Sequence, residues 1–430
     1  NLLHNHVFQF DFLNDDFSKL PQSLQDIIND EEKRKKLVIY INPPYAEADN
    51  RIGEGRKGVA ESTIHKKYSK NMGYTKREMY IQFLTRIYFE IPDVVLANFS
   101  KLKNLQAPRF KDFRSFFRVK LEKLFLTPAK TFDNVKGTFP IGFFIWDTAQ
   151  VEDFQFIEAD VYDKNRGFIG IKNIWAYDNL NFINDWVKTF RNTNSESIGT
   201  IIGVGSDFQN QRLVRFGEPF MKVPASNHNW QTTKDNLIQT SIYYTVRRII
   251  DATWLNDRDQ FLFPNDGWQT DLDFQNDCLT HTLFSNNISN SFGINHWIPF
   301  TEQEVNAQER FESYFMTDFI NGKIKIDTEN DLFGYGYNQP IKREFSEDAK
   351  AVFDAGRQLW KYYHSKPNVN VNASLYDIRE YFQGRNDKGK MNNKSDDQTY
   401  ISLIGELRNK LSLLANKIKP KIYEYEFLKE

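Results

Sequence analysis

A single cysteine, Cys278, stands in 430 residues. An internal disulfide is therefore impossible, no thiolate cluster is available for zinc, and a reducing cytoplasm is the expected setting. Long apolar runs are missing as well. Nothing approaches the roughly 20 consecutive apolar residues that span a bilayer, so no membrane partner is expected, and no secretory leader is recognisable. Repeats and low-complexity tracts are absent. Net charge is close to nil, with 56 Lys and Arg against 57 Asp and Glu, which on totals alone argues against a polyanion partner. What the chain has in quantity is aromatic residues: 38 Phe, 20 Tyr and 8 Trp. Its 40% hydrophobic and 26% charged content is ordinary for globular domains. This length exceeds what one core usually organises, so two or three domains are expected.

The distribution of charge reopens the question of a polyanion. Residues 51 to 136 hold 19 Lys or Arg against 8 Asp or Glu, a local +11 that leaves −12 for the remainder. Either a basic surface faces phosphate, or two domains of opposite sign have been partitioned along the chain.

Residues 1–150 read as alternating strand and helix. His6 to Leu13 forms a short apolar strand, Leu20 to Lys36 a polar helix, and Lys36 to Ile41 a buried strand stopped by a double proline. Arg77 to Ile91 has helical spacing, Asp93 to Ser100 is a strand, and a basic helix is expected around Phe110 to Leu124. Leu121 to Phe132 and Gly137 to Trp146 then make two neighbouring strands across a turn. The fold class is α/β, an open twisted sheet of Rossmann-like type whose ligands bind outside the carboxyl ends of its strands. Residues 151–340 are irregular and rich in Asn, Asp, Phe and Trp, which predicts a mixed α+β domain. Residues 341–430 return to 3.6-residue periodicity and predict a helical C-terminal region.

The chemistry is concentrated in Asn42-Pro43-Pro44-Tyr45, directly after an apolar strand. An exocyclic aromatic amine is a poor nucleophile, because its lone pair is delocalised into the ring. Hydrogen-bond acceptors draw the nitrogen toward tetrahedral geometry. The Asn42 side-chain oxygen and the Pro43 carbonyl can each accept one N–H, while the prolines hold the backbone and add no competing donor. Tyr45 can stack on the face of a base flipped from a duplex.

In these four residues the sequence resembles the amino-group DNA methyltransferases, whose motif is Asn, Asp or Ser, then Pro-Pro, then Tyr or Phe, with Asn marking the adenine-N6 form. The resemblance extends over roughly residues 5 to 150. It implies S-adenosyl-L-methionine as cofactor, double-stranded DNA as partner, a bacterial restriction-modification setting with a possible cognate endonuclease, and a partial class I methyltransferase sheet followed by a recognition domain. Asp11 and Phe12, in Phe10-Asp11-Phe12-Leu13, match the segment that meets the cofactor's adenine; capping a turn is the competing role for Asp11. Phe132 matches the hairpin aromatic that packs on the target base, and a core position is its alternative. Departures matter too. No Gly-rich loop followed by a strand-ending acid precedes Asp11, and Gly203-Val204-Gly205-Ser206 reads as a turn. The cofactor-binding part is therefore expected upstream, in a preceding domain or a separate subunit, and this chain alone is expected to bind the cofactor weakly.

Residues 51 to 77 read as a mobile basic loop able to embrace DNA phosphates, with Arg56, Lys57, Lys66, Lys67, Lys70, Lys76 and Arg77 the expected contacts; a merely solvated loop is the alternative. Arg109, Lys111, Arg114, Arg118 and Lys120 form a second cluster, open between an exposed helix face and DNA. His4-Asn5-His6 spells a nuclease motif but lacks the metal-binding unit that motif requires. Ala252 to Asp259 and Asn295 to Phe300 read as core of the second domain. Two other functions stay open: methylation of a protein glutamine amide, which also employs Asn-Pro-Pro-Tyr, and a non-catalytic DNA-recognition fragment.

Overall fold

The computed structural model describes residues 6–44, 61–132, 135, 137–191, 194–209, 211–222, 228–324 and 341–430. The chain divides into two compact units. The first comprises Asn1–Asn179 with Thr253–Asp259, the second Leu180–Ala252 with Gln260–Glu430.

The first unit is built on a six-stranded sheet of order β1-β2-β4-β3-β5-β6. Its strands are β1 (Val38–Ile41), β2 (Val95–Lys101), β3 (Lys120–Pro128), β4 (Pro140–Asp147), β5 (Phe156–Tyr162) and β6 (Phe168–Trp175). The pairs β1/β2 and β3/β5 are parallel; β2/β4, β3/β4 and β5/β6 are antiparallel. Strands β1, β2, β3 and β5 thus share one direction, and their carboxyl ends lie along one edge. The expected α/β class holds, as a mixed sheet with helices. The expected β3/β4 pair is present, whereas the basic helix before it spans only Lys111–Phe116.

Side chains alternate across the sheet as its pleat requires. Leu96, Leu124, Leu126, Phe144 and Trp146 point into one core, shared with Tyr80, Ile81, Leu84 and Ile87 of the helix Met79–Glu90. Deep in this core the Trp146 indole donates to Asn98 Oδ1 at 3.0 Å. The expectation of a fully buried strand before the double proline does not hold: Ile39 and Ile41 pack against the core, but Val38 and Tyr40 are each 62% exposed.

Three further expectations change. His6 to Leu13 forms no strand. The Phe8, Phe10, Phe12 alternation resembles a strand pattern, but Phe10, Phe12 and Phe17 cluster around the Arg86 guanidinium, whose nitrogens take the Phe12 and Asp15 carbonyls. The first unit extends past residue 150, because β5 joins β3 and brings β6 with it. Thr253–Asp259 also belongs to this unit, not to the second domain's core: Trp254 and Leu255 pack on the first core, and Asp259 accepts from Lys172 at 2.7 Å and Gln106 at 3.1 Å.

The second unit carries an antiparallel sheet of order β8-β7-β9, with β7 (Ser197–Gly203), β8 (Arg215–Gly217) and β9 (His228–Thr233). Its core gathers Trp186, Trp268, Trp297 and Trp360 with residues of the helices Leu237–Ile249, Leu272–Ser285, Glu347–His364 and Gln398–Glu424. The division at 340/341 accordingly falls inside one core, although the C-terminal segment is helical as expected. Asn295 to Phe300 lies where the sequence placed it, with Trp297 donating to the Ile198 carbonyl at 2.8 Å. Gly203 ends β7 at a close approach, since a Cβ there would meet the Trp230 ring at 2.7 Å. That tight packing is what its glycine serves. No helix among the described residues is long and apolar enough to cross a membrane.

Candidate functional site

Asn42, Pro43 and Pro44 leave the sheet at the carboxyl end of β1. The local cause is simple: β-branched and aromatic residues favour the extended chain, and two prolines without N–H groups end the ladder. Asn42 and Pro44 are exposed and Pro43 is buried. Ile41 pairs with Asn98, so the turn begins beside Phe99. The Phe99 ring lies 5.3 Å from Phe132 and 4.8 Å from Phe143, and Tyr40 stands 6.5 Å from Phe99. Hence Phe132, which follows β3, sits in the same aromatic group as the start of the turn. Tyr40, Phe99 and Phe143 were not singled out in the sequence, where only their period-2 placement hinted at a shared face. Tyr45, Arg56 and Lys57 lie outside the described residues.

Asp11 and Phe12 serve local structure. The Asp11 carboxylate accepts from Leu13 N at 3.0 Å and Asn14 Nδ2 at 2.8 Å. Phe12 stacks on Phe83 at 5.2 Å. The turn they build anchors the start of the helix Thr63–Met72, because Asn14 Oδ1 accepts from Thr63 N and the Leu13 carbonyl from Ile64 N.

The second half of the expected basic loop is ordered. Thr63–Met72 is α-helical, capped by Ser62, and Gly73–Arg77 forms a 3-10 turn. Lys66 and Lys70 are exposed on the helix. Lys67 is engaged: its ammonium lies 2.7 Å from Glu90 and 5.0 Å from the centre of the Tyr68 ring. Lys76 donates to Ser69 Oγ at 2.9 Å. Polar side chains with internal acceptors within reach hold the segment in place, so the mobile-loop expectation fails for residues 61 to 77.

The Glu90 carboxylate ties this region together, accepting from Lys67, from Arg86 at 2.8 Å and from the Tyr68 hydroxyl at 3.0 Å. Burial pushes its pKa up, but the Lys67, Arg86 and Tyr68 hydrogen bonds outweigh burial and hold it below the usual carboxylate range. A depressed folded-state pKa contributes stability that is complete above the unfolded value, roughly 4.3, and is lost as pH falls through the folded value. Wild-type protein is therefore expected to lose more stability between about pH 5 and pH 3 than a Glu90→Gln variant. Denaturant unfolding across that range checks this, and equal losses would refute it.

Four members of the second basic cluster are bound internally. Arg114 grips Asp178 through two bonds of 2.7 Å and donates to the Asn104 and Ala107 carbonyls. Arg118 pairs with Asp153, Lys120 with Glu122, and Lys111 donates to Asn179. Only Arg109 differs: it lies over the Tyr74 ring at 5.4 Å and donates to its hydroxyl. Among the described residues no group of His, Cys, Asp and Glu is arranged to hold a metal ion. His4 and Asn5 lie outside the described residues.

A Ras family model matches residues 122–231, about a quarter of the chain. That stretch crosses from the first unit into the second, and it contains no phosphate-cradling G-x-x-x-x-G-K-[ST] sequence. Gly384 to Lys390 has the glycine–lysine spacing, but Met391 stands where a metal-binding hydroxyl is required, and the stretch follows a helix, Leu375–Gln383. No curated protein matches the chain. Among solved structures, a nuclease-deletion mutant of the Type ISP restriction-modification enzyme LlaGI in complex with a DNA substrate mimic is 12% identical with a TM-score of 0.22, covering 41% of this chain and 19% of that one. The ATP-dependent Type ISP restriction-modification enzyme LlaBIII bound to DNA is 11% identical with a TM-score of 0.24, covering 57% of this chain and 18% of that one. This chain thus spans less than a fifth of either, and an overlap of that quality gives no residue a role.

Proposed function

We propose that this chain carries the catalytic turn of an adenine-N6 DNA methyltransferase working in a restriction-modification system. One observation carries the reading: Asn42-Pro43-Pro44 leaves the carboxyl end of a strand in a mixed sheet, four of whose six strands run in the same direction, beside an aromatic group that includes Phe132. Ligands of such sheets bind outside the carboxyl ends. In this reading Asn42 Oδ1 and the Pro43 carbonyl accept the two N–H bonds of the target amine, and the prolines keep those acceptors fixed. Phe132 packs on the extruded adenine. S-adenosyl-L-methionine is the methyl donor, bound largely by a domain or subunit other than the residues described. A cognate endonuclease and a cytoplasmic location belong to the same proposal.

The test is transfer of labelled methyl groups from S-adenosyl-L-methionine to duplex DNA by the protein as produced from its own gene, with the modified nucleoside identified by mass spectrometry. N6-methyladenine is expected. Label on a protein glutamine amide, or no transfer, would overturn the proposal.

Lys66, Lys67 and Lys70 are all exposed on the helix Thr63–Met72, but Lys67 is held by Glu90. Replacing Lys66 and Lys70 with Gln is expected to flatten the slope of log affinity against log salt by roughly 0.9 for each phosphate that is no longer neutralised. Related and unrelated duplexes should lose affinity equally, because phosphate contacts position without reading sequence. Binding curves at several salt concentrations decide; an unchanged slope would make the helix face merely solvated.

A further inference from the structure

Phe220 stands in the second unit where a phenylalanine is least expected. Residues 218–221 form a tight turn, closed by a hydrogen bond from Met221 N to the Glu218 carbonyl at 3.2 Å, with Pro219 and Phe220 at its centre. The Phe220 backbone lies at φ 57°, the left-handed region that a bulky side chain rarely adopts and that Gly or Asn usually supplies at this turn position. Burial of the ring does not offset that strain, because Phe220 is 69% exposed.

The surrounding structure holds the turn in place. Pairing of β8, β7 and β9 sets Gly217 beside Thr200 and Thr200 beside Gln231, so these positions share one face of the sheet. The turn folds over that face: Phe220 N donates to Gln231 Oε1 at 3.0 Å, Met221 N donates also to Thr200 Oγ1 at 3.2 Å, and Asn229 Nδ2 donates to the Met221 carbonyl at 3.1 Å. A Cβ on Gly217 would meet the Met221 sulfur at 2.6 Å, so glycine there lets the turn approach. The fold thus over-determines a strained conformation whose product is a projecting aromatic ring.

The charge around the ring is mainly positive. Arg215 lies two residues before Gly217, on the same face of β8 by strand alternation, and Lys222 directly follows the turn. Both are exposed and neither has an ion-pair partner among the described residues, while Glu218 is the one acid of the turn. A projecting ring flanked by such cations is suited to unstacking a base step while neutralising the phosphates beside it. We propose that Phe220 inserts its ring between adjacent base pairs of duplex DNA, with Arg215 and Lys222 on the flanking phosphates. This wedge rests on the DNA-binding part of the function proposed above and adds to it a named contact in the second unit.

The test is equilibrium binding by the 430-residue chain of a duplex selected from random sequence by the wild-type protein and labelled at both ends for energy transfer. Phe220→Ala should weaken binding about 5- to 150-fold, the range for losing one base–aromatic stack. The slope of log affinity against log salt should not change, because no charge is lost. Phe220→Trp should restore binding. Arg215→Gln and Lys222→Gln should each flatten the slope by roughly 0.9. The wild-type chain should bring the duplex ends closer by kinking it, and Phe220→Ala should leave them apart. Phe220→Gly, freed of the backbone strain, should bind as weakly as Phe220→Ala yet unfold at or above the wild-type midpoint.

Wild-type affinity in Phe220→Ala, or failure to select any duplex from random sequence, would overturn the proposal. So would a lower unfolding midpoint for Phe220→Gly, which would make the ring part of the fold. Preference for the single strand over the duplex, with the Phe220 effect confined to it, would make the ring a stacking platform and overturn the wedge. Self-association lost in Phe220→Ala with DNA binding intact would assign the ring to a contact between copies. If N6-methyladenine fails to form while the Phe220 and salt signatures hold, the methyltransferase reading falls alone. If it forms and Phe220→Ala binds as the wild type does, the wedge falls alone.

Discussion

Replacing Asn42 with Ala is expected to lower methylation by about 10²-fold or more, the usual consequence of removing one preorganised hydrogen-bond partner from a reacting group. The reasoning is electronic. The target nitrogen becomes nucleophilic only as its lone pair withdraws from the aromatic ring, and two acceptors on its N–H bonds favour that change most in the transition state. With Asn42 gone, the Pro43 carbonyl is left as the sole acceptor of the pair. Asn42→Asp keeps an acceptor and should retain more activity than Asn42→Ala. DNA affinity should change little in Asn42→Ala, because Asn42 contributes no charge to phosphate binding, whereas the carboxylate added by Asn42→Asp should weaken it. Single-turnover methylation with saturating duplex measures the effect. Near-normal turnover by the Ala variant would remove the turn from catalysis, and a parallel loss of affinity would make Asn42 a binding residue.

Arg86→Met should cost about 3–5 kcal/mol of unfolding free energy, the range found when one member of a buried ion pair is removed. Arg86 is 4% exposed, and its guanidinium serves four groups at once: the Phe12 and Asp15 carbonyls, Glu90, and the Phe17 ring 4.1 Å below it. Methionine fills similar volume but offers no donor, which leaves two carbonyls without their partner and the Glu90 carboxylate without one of its cations. Arg86→Lys keeps the charge and loses the forked geometry, so an intermediate cost is expected. Denaturant unfolding with an unchanged slope is the measurement. A loss below about 1 kcal/mol would mean that water takes over the guanidinium's bonds.

Much of the first unit was legible. The β-branched run before two prolines announced β1 and its abrupt end, the spacing of Tyr80, Ile81, Leu84 and Ile87 announced the helix Met79–Glu90, and the β3/β4 pair followed from two apolar runs across a turn. These are local signals, in which period and turn chemistry act within a dozen residues. The segment around Phe10 and Phe12 misled because alternation records which side chains seek burial and not what receives them. Its carbonyls found Arg86, 74 and 71 positions away, instead of a neighbouring strand.

The unit boundaries were hidden for a related reason. The pairing of Phe125 with Asp160 and Leu126 with Val161 carries the sheet beyond residue 150, and Thr253–Asp259 returns to the first core from far along the chain. No composition shift marks such long-range pairing.

The sequence by itself determined the turn Asn42-Pro43-Pro44, the strand that precedes it, the elements around β2 to β4, and a basic excess between residues 51 and 136. Those properties reside in residue type and short spacing. Only the tertiary structure decided which basic residues face outward. Charge is additive along a sequence, but a cation's availability depends on the carboxylates and carbonyls that folding brings within hydrogen-bond reach. Arg114, buried on Asp178, and Arg109, laid open on Tyr74, are five residues apart and of the same type, and folding alone gives them different partners.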